Sequence, residues 1–280
     1  MKLAFSLTAA LLVAAGTLSL PPASAAPIAH ESFDYQAGSA LVGSNGGSGF
    51  GGAWQSGLFS GGAQHQTGTG SLSHAGVPAV GGHAAESNAA GYWGVWRPLA
   101  AGLGSNGSTV YASFLIRAAP GAVASDFFGL YLSAANPFFD LFVGKPGAGA
   151  SDRWVLERRG GADQAASDAV VDTDTHLLVL KMQFAAADGA PDIFSLFVDP
   201  VAGGAEPGTP DAVSASFDAG TFTGIGLFGN RAWAIDEIRL GSGYADVAAA
   251  VASVPEPSTW TLLVPALVAG WRRRRGRCAH

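Results

Sequence analysis

Ile193-Phe194-Ser195-Leu196-Phe197-Val198 is an apolar run through which a two-residue alternation shows, and Asp188-Gly189 stands before it as a turn signal. The same texture extends upstream through His176 to Phe184, Arg153 to Arg158, Phe138 to Val143, Phe127 to Leu132 and Val110 to Arg117. Downstream it continues in Phe222 to Phe228 and Trp233 to Leu240. Breakers such as Pro120-Gly121 and Lys145-Pro146-Gly147 separate the runs. Short, regularly spaced strands with turn signals predict an antiparallel sandwich or barrel. A helix from Ala162 to Phe184 is the competing reading. It fails on Asp172-Thr173-Asp174-Thr175, which are turn formers and poor helix formers.

The 280 residues suit one domain of a little over 200 once the two ends are set aside. No internal repeat or linker divides the middle. Gly is the compositional outlier at 40 residues, and 20 of them fall between Gly38 and Gly107. That density is costly in helices, so the first half is expected to be strands and turns.

The formal net charge of −6 conceals a segregation. Lys2 is in the leader, and Arg272, Arg273, Arg274, Arg275 and Arg277 sit at the far end, which leaves 9 basic residues against 21 acidic ones. An acidic body excludes nucleic acid as a ligand, since that affinity rests on phosphate neutralisation. The only cysteine, Cys278, lies behind the arginines, so the body has no disulfide and stands on its core.

Residues 1–25 read as a signal peptide. Met1-Lys2 gives a positive start, Leu3 to Leu20 an apolar run, and Ala23-Ser24-Ala25 the site for signal peptidase, with cleavage after Ala25. At the other end, Val254-Pro255-Glu256-Pro257-Ser258 precedes a mostly apolar segment, Thr259 to Trp271, and then the arginines. As a helix that segment reaches about 20 Å, short of a ~30 Å hydrocarbon core.

This order of Val254 to Ser258, short apolar helix and arginine cluster resembles the PEP-CTERM sorting signal of Gram-negative bacteria. The resemblance covers residues 254–277 and departs from the family in its short helix with an internal Pro265. It implies export through the inner membrane and transient residence there through the C-terminal helix. It further implies cutting by an exosortase-type membrane protease, and a place at the cell surface or in an exopolysaccharide and biofilm matrix.

A second resemblance spans residues 30–247. It rests on Glu31-Ser32-Phe33-Asp34-Tyr35 with Asn45 to Phe50 and Ala53-Trp54, on His176 to Met182 with Phe194 to Pro200, and on Ile235 to Gly241 with Tyr244 to Val247. Together these are similar to the concanavalin A-like (laminin G-like) jelly-roll domains. The chain is therefore expected to be all-β, an antiparallel two-sheet jelly-roll sandwich over 26–248. A signal helix flanks it on one side, and the linker and tag of 249–280 flank it on the other. The resemblance implies that first and last strands pair.

Glycosidases of this fold need two carboxylates about 5 Å apart on one strand. No two body glutamates stand in that spacing, and Asp236-Glu237, being adjacent, are expected on opposite faces. A serine-hydrolase elbow and a phosphate loop are also missing. His65, His74 and His83 recur every nine residues, too far apart for a usual zinc pattern, and read as exposed loop histidines. Structural calcium would draw on Glu31, Asp34 and Asp236 if the terminal strands pair, or on the acidic turn Asp168, Asp172, Asp174. Trp54, Tyr92, Trp93 and Trp96 are the candidate platforms for stacking a sugar, against the reading that they are core. The sequence thus points to a non-catalytic lectin-like domain that binds polysaccharide. A glycan-active hydrolase and a purely structural surface domain are its alternatives.

Overall fold

The computed structural model describes residues 26–57, 65–86, 93–134, 140–158, 161–230 and 233–250. The signal segment and the sorting tag, with Val254 to Ser258 and the arginines, lie outside them, as does Tyr92. The described strands are β1 (Ala29–Glu31), β2 (Gln55–Ser56), β3 (His65–Gly68), β4 (His83–Glu86), β5 (Trp93–Leu103), β6 (Thr109–Ala118), β7 (Phe128–Ser133) and β8 (Leu141–Lys145). They continue as β9 (Arg153–Arg158), β10 (Ala162–Val170), β11 (His176–Gln183), β12 (Ile193–Val198), β13 (Ala212–Ser214), β14 (Phe222–Gly229) and β15 (Trp233–Gly241), before one helical turn, α1 (Tyr244–Val247).

Every described ladder is antiparallel, and together they make two sheets of a jelly-roll sandwich. One sheet runs β13-β12-β11-β6-β15-β4-β3, with β1 also on β15; the other runs β10-β9-β8-β7-β14-β5-β2. The terminal strands pair as expected, Ala29 opposite Leu240 and Glu31 opposite Ile238. The acidic turn at 172–175 splits what a helix would have joined, leaving β10 and β11 on either side.

The inner faces supply the core, with Trp54, Phe114, Phe128, Trp154, Phe194 and Phe222 fully buried. The glycine-rich segment before β2 folds against β1. Gly49 has φ +78° and bears no Cβ that would strike the Ile28 carbonyl, which is why glycine is needed there.

β15 carries a bulge. Asp236 pairs with Leu115 and Arg239 with Ser113, three steps against two, and Glu237 takes φ +50°. The extra residue corrects the expectation that Asp236 and Glu237 oppose each other. Ile235 and Ile238 both enter the core, and both carboxylates turn to the outer side. There they hold the strap 71–80. Asp236 accepts from Ser71 Oγ and from Leu72 N at 2.8 Å, and Glu237 accepts from Val80 N at 3.0 Å. Arg239 Nη2 donates to the Pro78 carbonyl at 2.6 Å. The strap and α1 cover the outer face of this sheet, with Leu72, Tyr244 and Val247 packed against Leu115, Leu177, Val179 and Phe197.

The histidines also differ from expectation. His65 is in β3, 2% exposed, with its ring 5.4 Å from Trp233. Edge position does not expose it, because inward alternation along β3 buries His65 and Thr67 together. His83 lies in β4, and His74 is in the strap, where it meets Asp199 at 3.0 Å.

Candidate outer-face site

Four neighbouring strands of the seven-stranded sheet carry glycine and an aromatic ring two residues apart: Gly94 and Trp96, Gly129 and Tyr131, Phe142 and Gly144, Gly226 and Phe228. A spacing of two puts both on one face. Register shows which face. Val95, Leu130, Val143 and Leu227 belong to the core, so these eight positions look outward. Across the strands Glu157 pairs with Phe142, Phe142 with Tyr131, Tyr131 with Gly226, and Gly226 with Trp96. One row of side chains thus crosses five strands, about 19 Å at the usual strand spacing.

The glycines let the rings lie down. A Cβ on Gly224 or Gly129 would enter the Trp96 or Phe142 ring. Tyr131 meets Phe142 at 4.7 Å and Phe228 at 5.8 Å, and Phe127 meets Phe228 at 5.1 Å. Val155 and Phe142 form the floor, while Phe127 and Phe228 are half-buried at its edge. Trp96 Nε1 donates to Ser133 Oγ at 3.0 Å, which fixes the indole along the sheet.

Glu157 ends the row at 9% exposure. Its carboxylate accepts from Gln164 Nε2 at 2.9 Å, and Gln164 is itself held by the Ala150 amide at 2.9 Å. Burial pushes the Glu157 carboxyl above its ordinary range, against the pull of that hydrogen bond. Burial first, and the Glu157 charge second, raise the Tyr131 phenol. The face therefore combines apolar rings, an oriented amide and a half-desolvated carboxylate. The rings of the row are themselves buried, Phe142 at 1% and Tyr131 at 7% exposure, and the half-buried Phe127 and Phe228 lie at its edge.

Trp96 is thus on the site but lies flat at 9% exposure. Trp54 is not on it, and its reading as a platform is corrected. It is 1% exposed, stacked 6.0 Å from Phe33, with Nε1 donating to Glu31 at 3.1 Å. The backbone of Trp93 belongs to β5.

The oxygen donors considered for calcium are not brought together. Asp34 is exposed, Glu31 faces into the sandwich, and Asp236 lies on the other side of the sheet under the strap. Glu31 is met by a cation from the chain itself. Arg97 Nη1 donates to it, beside Tyr35 OH and Phe33 N at 2.8 Å each. Arg97 also donates to Gly52 O, Asn45 Oδ1 and Gly46 O, and stacks 4.0 Å from Phe50. Burial and the Glu31 charge push the Tyr35 phenol up to about 12. In the acidic turn, Asp172 instead hydrogen-bonds His176 at 3.0 Å. Among the described residues no group of three or more His, Cys, Asp or Glu side chains is placed to hold a metal ion.

Tyr131, Phe142, Phe228 and Glu157 were not singled out by the sequence reading. The glycine–aromatic spacing on adjacent strands is the signal that marks them.

No protein-family model matches the chain, and no curated protein matches it in sequence. Solved structures do. The globular domain of T. cruzi calreticulin is similar at 14% identity and a TM-score of 0.45, covering 70% of this chain and 86% of its own. The catalytic domain of a GH131 beta-glucanase from Podospora anserina gives 10% identity and 0.45, with 68% and 85% covered. The Emp47p carbohydrate recognition domain gives 10% and 0.39, with 68% and 95% covered.

Proposed function

We propose that this protein is an exported surface or matrix component whose sandwich binds polysaccharide on the outer face of its seven-stranded sheet, without cutting it. The observation that carries this reading is the row Glu157–Phe142–Tyr131–Trp96 lying along one sheet face. The other sheet's outer face is occupied by the strap and α1, so the two faces are not equivalent. A long cross-strand row suits an extended chain of sugars, which would lie over the edge rings Phe127 and Phe228 while hydroxyls meet Gln164 and the rim of Glu157.

Export rests on residues 1–25 and the sorting tag of 254–277, with signal peptidase and an exosortase-type protease as the processing partners. Such a tag would pass the chain through the inner membrane of a Gram-negative bacterium to the cell surface or the exopolysaccharide.

Glu157 also gives the hydrolase reading its one support, because a carboxyl raised by burial is suited to be a general acid. Hydrolysis needs a second carboxylate beside it. Asp140, at the head of β8, has its carboxylate on the Ala134 amide at 2.7 Å.

The test is a glycan-array and pull-down screen with the purified full chain, repeated on Phe228→Ala. Binding to one or more polysaccharides that Phe228→Ala weakens, with no release of reducing ends, is the expected result. Silence across all glycans refutes the lectin reading, and accumulation of new reducing ends abolished by Glu157→Gln establishes the hydrolase.

A further inference from the structure

His176 joins three parts of the fold at one rim of the sandwich. It opens β11 in the eight-stranded sheet, on the same face as the core residues Leu178 and Leu180. Its ring lies 5.2 Å from that of Trp154, on β9 of the other sheet. Asp199, at the end of β12, accepts from His176 Nδ1 at 2.7 Å. The second oxygen of Asp199 accepts from the Leu177 amide at 2.8 Å and from His74 Nε2, on the strap, at 3.0 Å. On the other side of the ring, His176 Nε2 donates to Asp172 at 3.0 Å. Asp172 belongs to the turn that carries the chain from β10 in one sheet to β11 in the other. Strap, β12 end and crossover turn are thus linked through one imidazole.

The geometry sets the protonation of that imidazole. A neutral imidazole has one N–H, and an ionised carboxylate only accepts. Both ring nitrogens of His176 face carboxylate oxygens, so both need a proton. The Asp174 amide, and then His176, hold the Asp172 carboxyl below its ordinary range. Burial would raise Asp199, but His176 and the Leu177 amide outweigh it and hold this carboxyl low as well. The protons therefore sit on the ring, and Trp154 lies within the reach of a cation–π contact. The charged groups around His176 among the described residues are Asp172 and Asp174 on the turn, Asp199 on β12, His74 on the strap, Arg117 beside its strand partner Ile116, and Arg153 beside Trp154. The two that it touches are Asp172 and Asp199, and no metal-binding group among the described residues includes them.

Loss of one proton leaves a single N–H between two carboxylates. Asp199 keeps it, because that contact is the shorter one and the carboxylate is already fixed by the Leu177 amide. Asp172 is exposed and can exchange the ring for water. We propose that His176 is the imidazolium pin of a proton-dependent clamp, whose deprotonation on the alkaline side frees the β10–β11 turn and leaves the strap fastened through His74. The sign agrees. The Asp199 hydrogen bond raises the His176 pKa, burial opposes it, and Asp172 adds to the rise. A raised value means that the clamp is complete below pH 6.5, the ordinary value, and is lost as pH rises through the folded one.

The test is nuclear magnetic resonance of the full chain between about pH 6 and 9, a range that spans a raised histidine pKa. The His176 ring signals are assigned by their absence in His176→Gln. Amide exchange is followed for residues 173–175 and for the strap middle 74–77, corrected for base catalysis. The expected result is a His176 ring with two N–H groups at the acid end and one at the alkaline end. Over the same range exchange at 173–175 rises about tenfold, the size of one charge-assisted hydrogen bond, while 74–77 does not change. Asp172→Ala, an exposed substitution, should exchange at both ends like the natural chain at the alkaline one. A single ring N–H at the acid end overturns the proposal, as does turn exchange without a pH step or a step that survives Asp172→Ala. Loosening of the strap together with the turn overturns it too, since Asp199 would then have let go.

Discussion

Replacing His65 with Leu should abolish a specific acid sensitivity of the fold. His65 is 2% exposed between the sheets, and burial pushes its pKa down from 6.5 to about 3. The folded state thus holds the ring neutral, while the unfolded chain binds a proton below about pH 6.5. Stability from this group is fully present above pH 6.5 and is lost as pH falls from there toward 3. Each pH unit in that window costs about 1.4 kcal/mol, so about 3 kcal/mol disappears between about pH 6.5 and 4.5. Asp236 runs the other way. Burial raises its carboxyl from 3.8 to about 7, so its contribution is full below 3.8 and is lost as pH rises toward 7. Between about pH 4 and 6.5 the two slopes oppose each other, and the natural chain shows little net change from this pair. Urea unfolding of the natural chain and His65→Leu at about pH 7 and 4.5 separates them. The variant should gain about 3 kcal/mol relative to the natural chain on going to the lower pH. An equal response of both chains would refute the assignment of a buried, neutral His65.

Three further outcomes follow from the same geometry. Asp236→Asn should remove the opposing slope, so that its stability relative to the natural chain is greater at about pH 7.5 than at pH 4, again by urea unfolding; an unchanged difference contradicts the raised carboxyl. Arg97→Met leaves Glu31 buried without its cation and should cost about 3–5 kcal/mol, whereas Arg97→Met with Glu31→Leu should recover a large part of it in the same assay. Gly224→Ala drives a Cβ into the Trp96 indole and should cost about 1–3 kcal/mol while shifting tryptophan fluorescence; an unperturbed emission spectrum would mean that the ring does not lie there.

The strands were legible where hydrophobic runs are bounded by turn residues. Ile193–Val198 and Arg153–Arg158 have the bounds that the sequence marks, and β6, β11, β14 and β15 differ by a residue or so. β5 went unread because Gly94, Pro98 and Gly102 break its composition. Pro98 is accommodated beside the register shift between Phe222 and Gly224. β10 was hidden by its polar makeup, Ala-Asp-Gln-Ala-Ala-Ser-Asp, which is how an exposed edge strand reads. The pairing of β1 with β15 was legible through the family resemblance. What the two carboxyl groups near that pair do was not, because Glu31 meets an arginine 66 positions away and a bulge turns Glu237.

The outer-face site was half-visible. Trp96 drew attention as an aromatic, but strands covered on both sides do not reveal by hydrophobicity which face is which. The glycines at positions 129 and 224 carry that information, since a Cβ on either would meet the Phe142 or Trp96 ring of a neighbouring strand.

The central claim is that polysaccharide occupies the outer face of the seven-stranded sheet. Amide hydrogen exchange of the full chain, with and without a polysaccharide that the glycan screen identifies, tests it most directly. Slowed exchange confined to β7, β8, β9 and β14, with the strap 71–80 and β11 unchanged, is the predicted result. Protection centred on the strap, or none in the seven-stranded sheet, would contradict it.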